Sequence, residues 1–331
     1  MHFSKLAIFV SRRLDVDSYI VENPYYIPVE CGSIFKADTP RASIQQDSKG
    51  DNISSKRSSF CEFTVQYWGW KNFDFDFYGL CHYRRYLALK KKNFKKNCQN
   101  VVVEPFLDEE TVKKYGLDDP KLIEYLTARY PIIVNEEANV TQIPTPSGFQ
   151  NTVYEHWAAH HKVFLEQESL DLLVEYIKEL KPEYLSSATK YLKGSHHRGY
   201  NCFLMRKDLF KEMCGFQFSL LFALEADPWI IQTSKEFPRT LGYLGEILYG
   251  IFIFHCKNTK KLPIKELPLI YFEYTSGLPK NTVKRVAIKT LIELKVKGEK
   301  LGFFLFPKNS WSRNFLKSIY YYCLKSFGLV R

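Results

Sequence analysis

The sequence predicts an α/β protein in which helices flank a mostly parallel sheet. Two observations lead to this fold class. Apolar runs of strand length occur at 5–11, 77–82 and 131–135, and such runs are typical of strands buried on both faces. Segments with the apolar spacing of helices lie between them, and strands that alternate with helices form parallel sheets.

The first half of the chain begins this alternation. The run "KLAIFVS" at 5–11 predicts a buried first strand that ends in two arginines. A polar stretch at 37–59 predicts a long surface loop, and loops of this length are usually functional or disordered. The aromatic segment at 60–73 predicts a buried helix ahead of the strand at 77–82. The expected order is therefore strand, loop, helix, strand.

Further along the chain, helix starts and stops continue the pattern. The Asp119-Pro120 pair is a favourable helix start, and a short strand follows at 131–135. An amphipathic helix that runs through Leu180 is predicted to stop at Pro182.

The last two predicted elements lie in the 200s. A strand leads into a helix at 201–210, and the apolar segment 241–256 predicts a helix that is buried on nearly all sides. Parallel sheets of this kind bind ligands beyond the carboxyl ends of their strands. Residues that follow the strands are therefore the first candidates for a site.

Charge and cysteine content restrict the class of protein. Of the net charge of +11, most lies between Lys284 and Arg331, which holds eleven Lys and Arg against two Asp and Glu. The nearly neutral remainder argues against a broad nucleic-acid surface. Eight scattered cysteines without a C-x-x-C pair indicate a reduced, cytoplasmic setting. No apolar run is long enough for a membrane-spanning helix.

A cluster of cationic and phenolic side chains follows the strand at 77–82, in the segment "FYGLCHYRRYL". Three interpretations compete. The arginines could pair with carboxylates of neighbouring elements, or they could belong to a nucleic-acid surface. The third interpretation is a diphosphate site, because arginine presents a planar fork that matches phosphate oxygens, and His and Tyr supply further donors.

The sequence resembles a bacterial family, the domain-of-unknown-function family 4422, over about residues 5–275. Five segments carry the resemblance in the family's order: "GDNISSKRSSFCEFTVQYWGWKN", "YGLCHYRRYL", "TVYEHWAAHH", "NCFLMRKDLF" and "RTLGYLGEILYGIF". Members are usually described as glycosyltransferases of capsule, exopolysaccharide or lipopolysaccharide clusters. The resemblance implies a GT-A-like, Rossmann-type fold and sugar transfer from a nucleotide-linked donor.

The resemblance and the residue chemistry together give a set of expected site residues. Those expected to act in catalysis are Glu246, His82, Arg84 and Arg85. Those expected to bind the donor are Arg12, Asp51, Asn52, Tyr67, Tyr83 and Tyr86. Those expected to contact the acceptor are His160, His161, Asn201 and Arg239. The segment "GSHHRGYNCFLM" is more basic than the family's pattern here.

No metal or other cofactor is expected. Many nucleotide-sugar transferases end the equivalent strand with Asp-x-Asp, which binds a divalent cation, whereas this chain has His82-Tyr83-Arg84 there. Cations that meet the phosphates directly would replace the metal. Asp74-Phe75-Asp76 precedes the strand, and we interpret it as a turn. A divalent metal stays the less favoured alternative.

Glu246 and the paired histidines each allow two interpretations. A carboxylate within an apolar helix is costly unless it is paired or used, so Glu246 is either the general base of an inverting transfer or the ion-pair partner of Arg239. His160 and His161 either contact the acceptor or lie on a helix surface. Zinc binding is disfavoured, since no H-E-x-x-H motif or Cys/His cluster accompanies them.

The sequence divides into a catalytic domain at 1–283 and a basic extension at 284–331. Residues 310–330 predict an amphipathic helix with aromatic anchors, which suits either an anionic membrane surface or docking on the catalytic domain. We therefore expect a cytoplasmic enzyme, peripheral to the inner face of the membrane. It would transfer a sugar from a UDP-linked donor, with galactofuranose one candidate, to a surface glycan on a lipid or oligosaccharide acceptor. A non-catalytic nucleotide-sugar or glycan-binding protein is the alternative.

Overall fold

A mixed, mostly parallel sheet of ten strands forms the centre of the structure, and two further short strands pair with each other. The structure is a computed structural model that describes residues 5–36, 44–90, 92–277, 279 and 281–305. The described strands are β1 (Leu6–Arg12), β2 (Tyr26–Glu30), β3 (Gln45–Gln46), β4 (Phe77–His82), β5 (Arg85–Leu87), β6 (Val101–Phe106), β7 (Ile132–Asn135), β8 (Ala138–Asn139), β9 (His196–His197), β10 (Phe203–Arg206), β11 (Ile264–Leu267) and β12 (Leu269–Tyr274).

Helices cover both faces of this sheet. They are α1 (Arg57–Phe60), α2 (Phe63–Asn72), α3 (Glu109–Tyr115), α4 (Pro120–Thr127), α5 (Val153–Ala158), α6 (Glu168–Leu180), α7 (Pro182–Lys193), α8 (Lys207–Glu225), α9 (Pro228–Thr233), α10 (Thr240–Asn258) and α11 (Thr282–Leu305). The α/β class expected from the sequence is confirmed.

The strand order is β11-β7-β10-β4-β1-β2-β3. Strand β1 pairs in parallel with β2 and β4, whereas β10 runs antiparallel between β4 and β7. Beyond the end of β4, the chain turns back into β5, and β12 joins β5 to β6. The carboxyl ends of β1 and β4 lie side by side, since Ser11 is in register with His82.

Two apolar layers hold the helices to the sheet. Alternate residues of β1 point to opposite faces: Ala7 and Phe9 pack with the larger helices on one side, while Ile8 and Val10 pack towards α3 and α4 on the other. Strand β1 is buried along its whole length, as its unbroken apolar sequence predicts. Helix α10 is buried on nearly all sides, which confirms the prediction for 241–256.

Several predicted element ends are also found. Asp119 caps α4 by accepting a hydrogen bond from the backbone N–H of Lys121, with Pro120 at the first helical position. The predicted stop at Pro182 is more than an end: α6 finishes at Leu180 and Pro182 opens α7 at once. Proline has no backbone N–H. It suits the first turn of a helix, because an N–H at that position would have no partner within the helix.

The prediction of a long loop at 37–59 is wrong for the second half of that segment, which folds around the buried carboxylate of Asp47. The side chain of Asp47 is fully buried and accepts five hydrogen bonds. The donors are Gly32 N, Ser33 N, Ser33 Oγ, Ser54 Oγ and Thr64 Oγ1, at 2.6–2.9 Å. Asp47 thereby ties the segment to the end of β2 and to α2. Residues 37–43 lie outside the described part.

The C-terminal helix α11 packs on β6, where Ile288 and Ile292 contact Phe106. Arg285 also forms an ion pair with Asp108. Within the described residues, no helix is both long and apolar enough to cross a bilayer. The amphipathic helix predicted at 310–330 lies outside those residues, and the domain boundary at 283 stays a prediction.

We expect Asp47→Ala to destabilise the fold by about 3 kcal/mol, because five donors would lose one buried acceptor. Urea denaturation followed by circular dichroism measures this loss. The control is Asp208→Ala, which removes an exposed carboxylate paired with Arg206 and should cost under about 1 kcal/mol. Equal losses in the two variants would contradict the structural role of Asp47.

Candidate active site

Two adjoining cavities open at the carboxyl ends of β1 and β4. The first, called here the arginine cavity, has a volume of about 490 Å³. Its lining includes Ser11, Arg12, Arg13, Cys31, Phe35, Arg57, Ser58, Cys61, Glu62, His82, Tyr83, Arg84, Arg85 and Arg239. The second, the aromatic cavity, has a volume of about 430 Å³ and shares Arg85 and Arg239 with the first. The two therefore form one site with two compartments.

Positive charge dominates the arginine cavity, whose lining, among the described residues, has six arginines and one carboxylate, Glu62. Arg13 pairs with Asp15 at 2.5 Å, and Arg12, at the end of β1, donates to the backbone carbonyls of Ser18 and Tyr19. Arg84 and Arg85 form no ion pair with any described residue, and the buried Nε of each has no hydrogen-bond partner there. The interpretation of these two arginines as partners of carboxylates is therefore wrong within the described chain.

Tyrosine rings support these two guanidinium groups. The guanidinium carbon of Arg84 lies 5.3 Å from the ring centre of Tyr83 and 5.2 Å from that of Tyr271. That of Arg85 lies 4.9 Å from the ring centre of Tyr200. Aromatic faces stabilise a cation without neutralising it. The positive charge thus remains available to a ligand in the cavity.

His82 ends β4 in the midst of this charge. Burial lowers its pKa well below the ordinary value, and the charges of Arg85 and Arg84 lower it further. The imidazole is therefore neutral and offers one donor and one acceptor. Its buried Nδ1 has no partner among the described residues, so His82 keeps hydrogen-bonding capacity at the cavity wall.

Two carboxylates meet where the compartments join. Glu62, just before α2, lines the arginine cavity, and Glu246 of α10 lines the aromatic cavity. The amide of Asn201 donates to Glu62 Oε1 at 3.2 Å, and the backbone N–H of Tyr200 donates to Glu246 Oε2 at 3.3 Å. Tyr200 and Asn201 have φ angles of 74° and 43°. Such strained backbone is frequent at functional sites.

The proton affinity of Glu246 is unusual. Loss of contact with water raises its pKa from 4.5 to about 7, and the negative charge of Glu62 adds to this rise, while Arg85 and Arg239 oppose it. Glu246 forms no ion pair with Arg239 in the described chain. The Nε of Arg239 instead donates to Cys61 Sγ at 3.2 Å. The ion-pair interpretation of Glu246 is therefore wrong.

Histidines and aromatic rings form the wall of the aromatic cavity. The ring of His160 stacks on Phe164 at 4.9 Å between centres, and Phe164 stacks on Tyr243 at 5.0 Å. His160 Nδ1 donates to the carbonyl of His156 at 2.8 Å. Burial lowers the pKa of His156 to about 4 and that of His197 to about 3. These two imidazoles are neutral at physiological pH and act as hydrogen-bonding groups.

The structure brings together most of the residues expected from the sequence. Eight of them line the two cavities: Arg12, His82, Tyr83, Arg84, Arg85, His160, Arg239 and Glu246. Asn201 reaches the junction through its hydrogen bond to Glu62. The catalytic, donor-binding and acceptor-binding roles expected for these nine residues are not tested by where the residues lie, and they stay predictions.

Five expected residues are not in the lining of either cavity. Tyr86 is buried in the core against Tyr26, at 5.6 Å between ring centres. Tyr67 packs on Phe218 and Phe222 and donates to Asp51, which lies in a turn beside Asn52. His161 lies next to Glu166, at 2.9 Å. We therefore assign no ligand contact to Tyr86, Tyr67, Asp51, Asn52 or His161.

Sequence reasoning missed part of the aromatic cavity. Trp157, Phe164, His197 and Tyr243 line it, although they come from separate segments of the chain. A helical spacing of His156, Trp157 and His160 was the available signal, since residues three and four apart share a helix face. His197, beside Arg198 and Gly199, allowed either anion contact or simple solvation in a loop, and the structure places it in a short strand, β9.

The Asp-x-Asp segment and the group of candidate metal ligands found among the described residues both lie outside the arginine cavity. Asp74-Phe75-Asp76 lies at the amino end of β4, where Asp76 accepts from the backbone of Lys5 and Asp74 pairs with Lys207. Among the described residues, His161, Glu166 and Glu168 form one group with ligand atoms within 4.8 Å of one another. That group is partly exposed and lies outside both cavity linings.

Replacing Glu246 tests the pKa of this carboxyl group. Because its folded-state pKa is raised, Glu246 lowers stability progressively as pH rises from about 4.5 through 7. We expect Glu246→Gln to be more stable than the original protein at pH 8, with a smaller difference at pH 5. Thermal denaturation at both pH values measures this. Exposed Glu236, as Glu236→Gln, is the control, and a pH-independent difference at Glu246 would contradict the assignment.

Comparisons with known proteins bear on the fold and on the family of this chain. A search of curated proteins found no match. Among solved structures, the fold is similar to that of the WbbM bifunctional glycosyltransferase in its apo form, with a TM-score of 0.70 and 24% sequence identity. The similarity covers 84% of this chain and 48% of that one, so this chain corresponds to about half of the other protein. Residues 8–258 match the family described as "Domain of unknown function (DUF4422)". The chain therefore belongs to the DUF4422 family.

Proposed function

We propose that this protein is a glycosyltransferase that moves a sugar from a nucleotide-sugar donor to a glycan acceptor. One observation carries the proposal: a cavity in which Arg84 and Arg85 form no ion pair with a described residue adjoins a cavity with aromatic rings and a carboxylate of raised pKa. Such an arrangement suits an anionic leaving group on one side and a hydroxyl nucleophile on the other. The similarity of fold to a glycosyltransferase supports the same class.

The arginine cavity is the proposed donor site. Its lining lies beyond the carboxyl ends of parallel strands, where sheets of this type bind nucleotides. Arg84 and Arg85 would bind the diphosphate and neutralise the charge that develops as the bond to the sugar breaks. His82 and Tyr83 offer further hydrogen bonds. We propose that this charge replaces a metal ion, because Glu62 is the one carboxylate that the described lining provides.

The proposed reaction places Glu246 as general base. The acceptor hydroxyl would enter from the aromatic cavity and give its proton to Glu246 as its oxygen attacks the anomeric carbon of the donor sugar. The bond from that carbon to the phosphate oxygen breaks, and the nucleoside diphosphate leaves with the electron pair towards Arg84 and Arg85. A pKa near neutrality suits a base that must be ionised before each transfer and then accept a proton.

The finer identity of the substrates rests on the family resemblance. We propose a UDP-linked donor, with galactofuranose as a candidate sugar, and a bacterial surface glycan as acceptor. A peripheral position on the membrane, through the basic C-terminal extension, belongs to the same proposal. Asn201 and Arg239 would act at the junction of the compartments, where Asn201 contacts Glu62 and Arg239 borders both cavities.

We expect Glu246→Gln to lower the rate of sugar transfer at least about a hundredfold, since general-base catalysis typically contributes that much, while UDP binding is retained. Release of UDP from a panel of UDP-sugars, and calorimetric titration with UDP, measure the two quantities. Glu236→Gln is again the matched control. Equal turnover in the original protein and Glu246→Gln would eliminate the base. Binding of UDP without release from any donor would favour a non-catalytic binding protein.

We expect Arg84→Ala to weaken UDP binding about tenfold or more, because a charge-assisted hydrogen bond to phosphate is lost. Arg206→Ala, which removes an arginine paired with Asp208 on the surface, should leave the affinity unchanged. Calorimetry in the presence of EDTA makes the comparison. If EDTA abolished binding or transfer and manganese restored it, the proposal that arginine replaces a metal would be wrong.

A further inference from the structure

A third cavity adjoins the aromatic cavity. It has a volume of about 360 Å³ and is called here the outer cavity. Arg85, Gln99, Val101, Tyr200 and Leu269 line both the aromatic and the outer cavity. The two spaces are therefore neighbours along a common wall, and a ligand that fills one can extend into the other.

The floor of the outer cavity is one face of the β6 and β12 pair at one end of the ten-stranded sheet. Leu269, Tyr271 and Glu273 are alternate residues of β12 and share a face. Val101 and Val103 of β6 stand opposite Leu269 and Tyr271 in the strand register. At about 3.3 Å per residue, the floor from Leu269 to Glu273 is about 13 Å long. It is an elongated surface that leads away from the reaction centre.

Helix α11 closes the far end of this surface. Val296 lines the outer cavity and packs near Val103 in the apolar cluster that holds α11 to β6. On one side, the segment with Asn97 and Gln99 forms a wall. The C-terminal helix is thus part of a ligand-sized space that connects to the candidate active site.

The chemistry of the outer cavity suits a sugar ring. Tyr200 and Tyr271 line it with aromatic rings, each of which also lies near a guanidinium group, and the apolar face of a pyranose or furanose can pack on such rings. The amide oxygens of Asn97 and Gln99 already accept hydrogen bonds within the protein. Their NH2 groups are donors for sugar hydroxyls, and the carboxylate of Glu273 is an acceptor. Tyr200 Oη donates to Gln99 Oε1 at 3.1 Å, and Arg85 lies against the Tyr200 ring. Tyr200 and Gln99 are therefore held in place before a ligand arrives.

We infer that the outer cavity binds the sugar that precedes the accepting residue, so that the acceptor is a disaccharide or longer oligosaccharide rather than a single sugar. This inference rests on the proposed function and deepens it. The accepting residue occupies the aromatic cavity, with its hydroxyl towards Glu246, and the chain of the glycan runs over Val101 and Tyr271 towards α11.

The experiment uses the full chain and a size-fractionated acid hydrolysate of the surface polysaccharide of the host bacterium. Calorimetric titration in the presence of UDP measures the affinity for each fraction, and release of UDP measures transfer. We expect fragments of two or more sugars to bind at least about tenfold more tightly than monosaccharides, which is the scale of one well-formed aromatic contact with its hydrogen bonds. Tyr271→Leu and, separately, Glu273→Gln should remove most of this advantage.

Tyr125→Leu is the matched control, because Tyr125 is an exposed tyrosine outside the described cavity linings. Affinity that does not increase with fragment length, or an increase that survives in both Tyr271→Leu and Glu273→Gln, would overturn the inference. Length-dependent binding without release of UDP from any donor would support the outer cavity and contradict the proposed transferase activity. The two proposals therefore fail in different ways.

Discussion

The candidate site depends on two arginines, Arg84 and Arg85, that have no carboxylate partner in the part of the chain that the structure describes. Arg84 and Arg85 extend from the turn and strand that follow β4, and tyrosine rings replace the acidic residues that usually accompany a partly buried guanidinium. A cation held in this way is less stable than a paired one. An anionic ligand removes that cost, and the site is therefore preorganised for negative charge.

The two carboxylates at the junction depend on close helix packing. Gly245 precedes Glu246, and a side chain there would come within 2.5 Å of the ring of Phe63, the residue after Glu62. Helices α10 and α2 can therefore approach closely, so that the charge of Glu62, just before α2, raises the pKa of Glu246 in α10. The strained turn at Tyr200 and Asn201 supplies one donor to each carboxylate. Backbone strain, glycine packing and the raised pKa of Glu246 are parts of one arrangement.

The sequence predicted local features better than long-range ones. Apolar runs identified β1, β4 and β7, and the segment "HYRRY" indicated the site, because charge directly after a buried strand is a local signal. The antiparallel direction of β10 and the burial of Asp47 depend on contacts between distant segments, so no local pattern predicted them. The same reason explains the placement of Tyr86, whose position next to Arg85 suggested a ligand contact although strand alternation turns it into the core.

The antiparallel direction of β10 determines which segment of the chain can change without disturbing the sheet. The neighbouring strands β4 and β7 end at the cavities. Strand β10 runs antiparallel to both, so it begins there. The segment that leads into it from α7 holds His197, Tyr200 and Asn201. Insertions or exchanges in that connection can reshape the compartment beside Glu246 without altering strand register. The ligand preference of the aromatic cavity can therefore change through this segment while the arginine cavity stays the same.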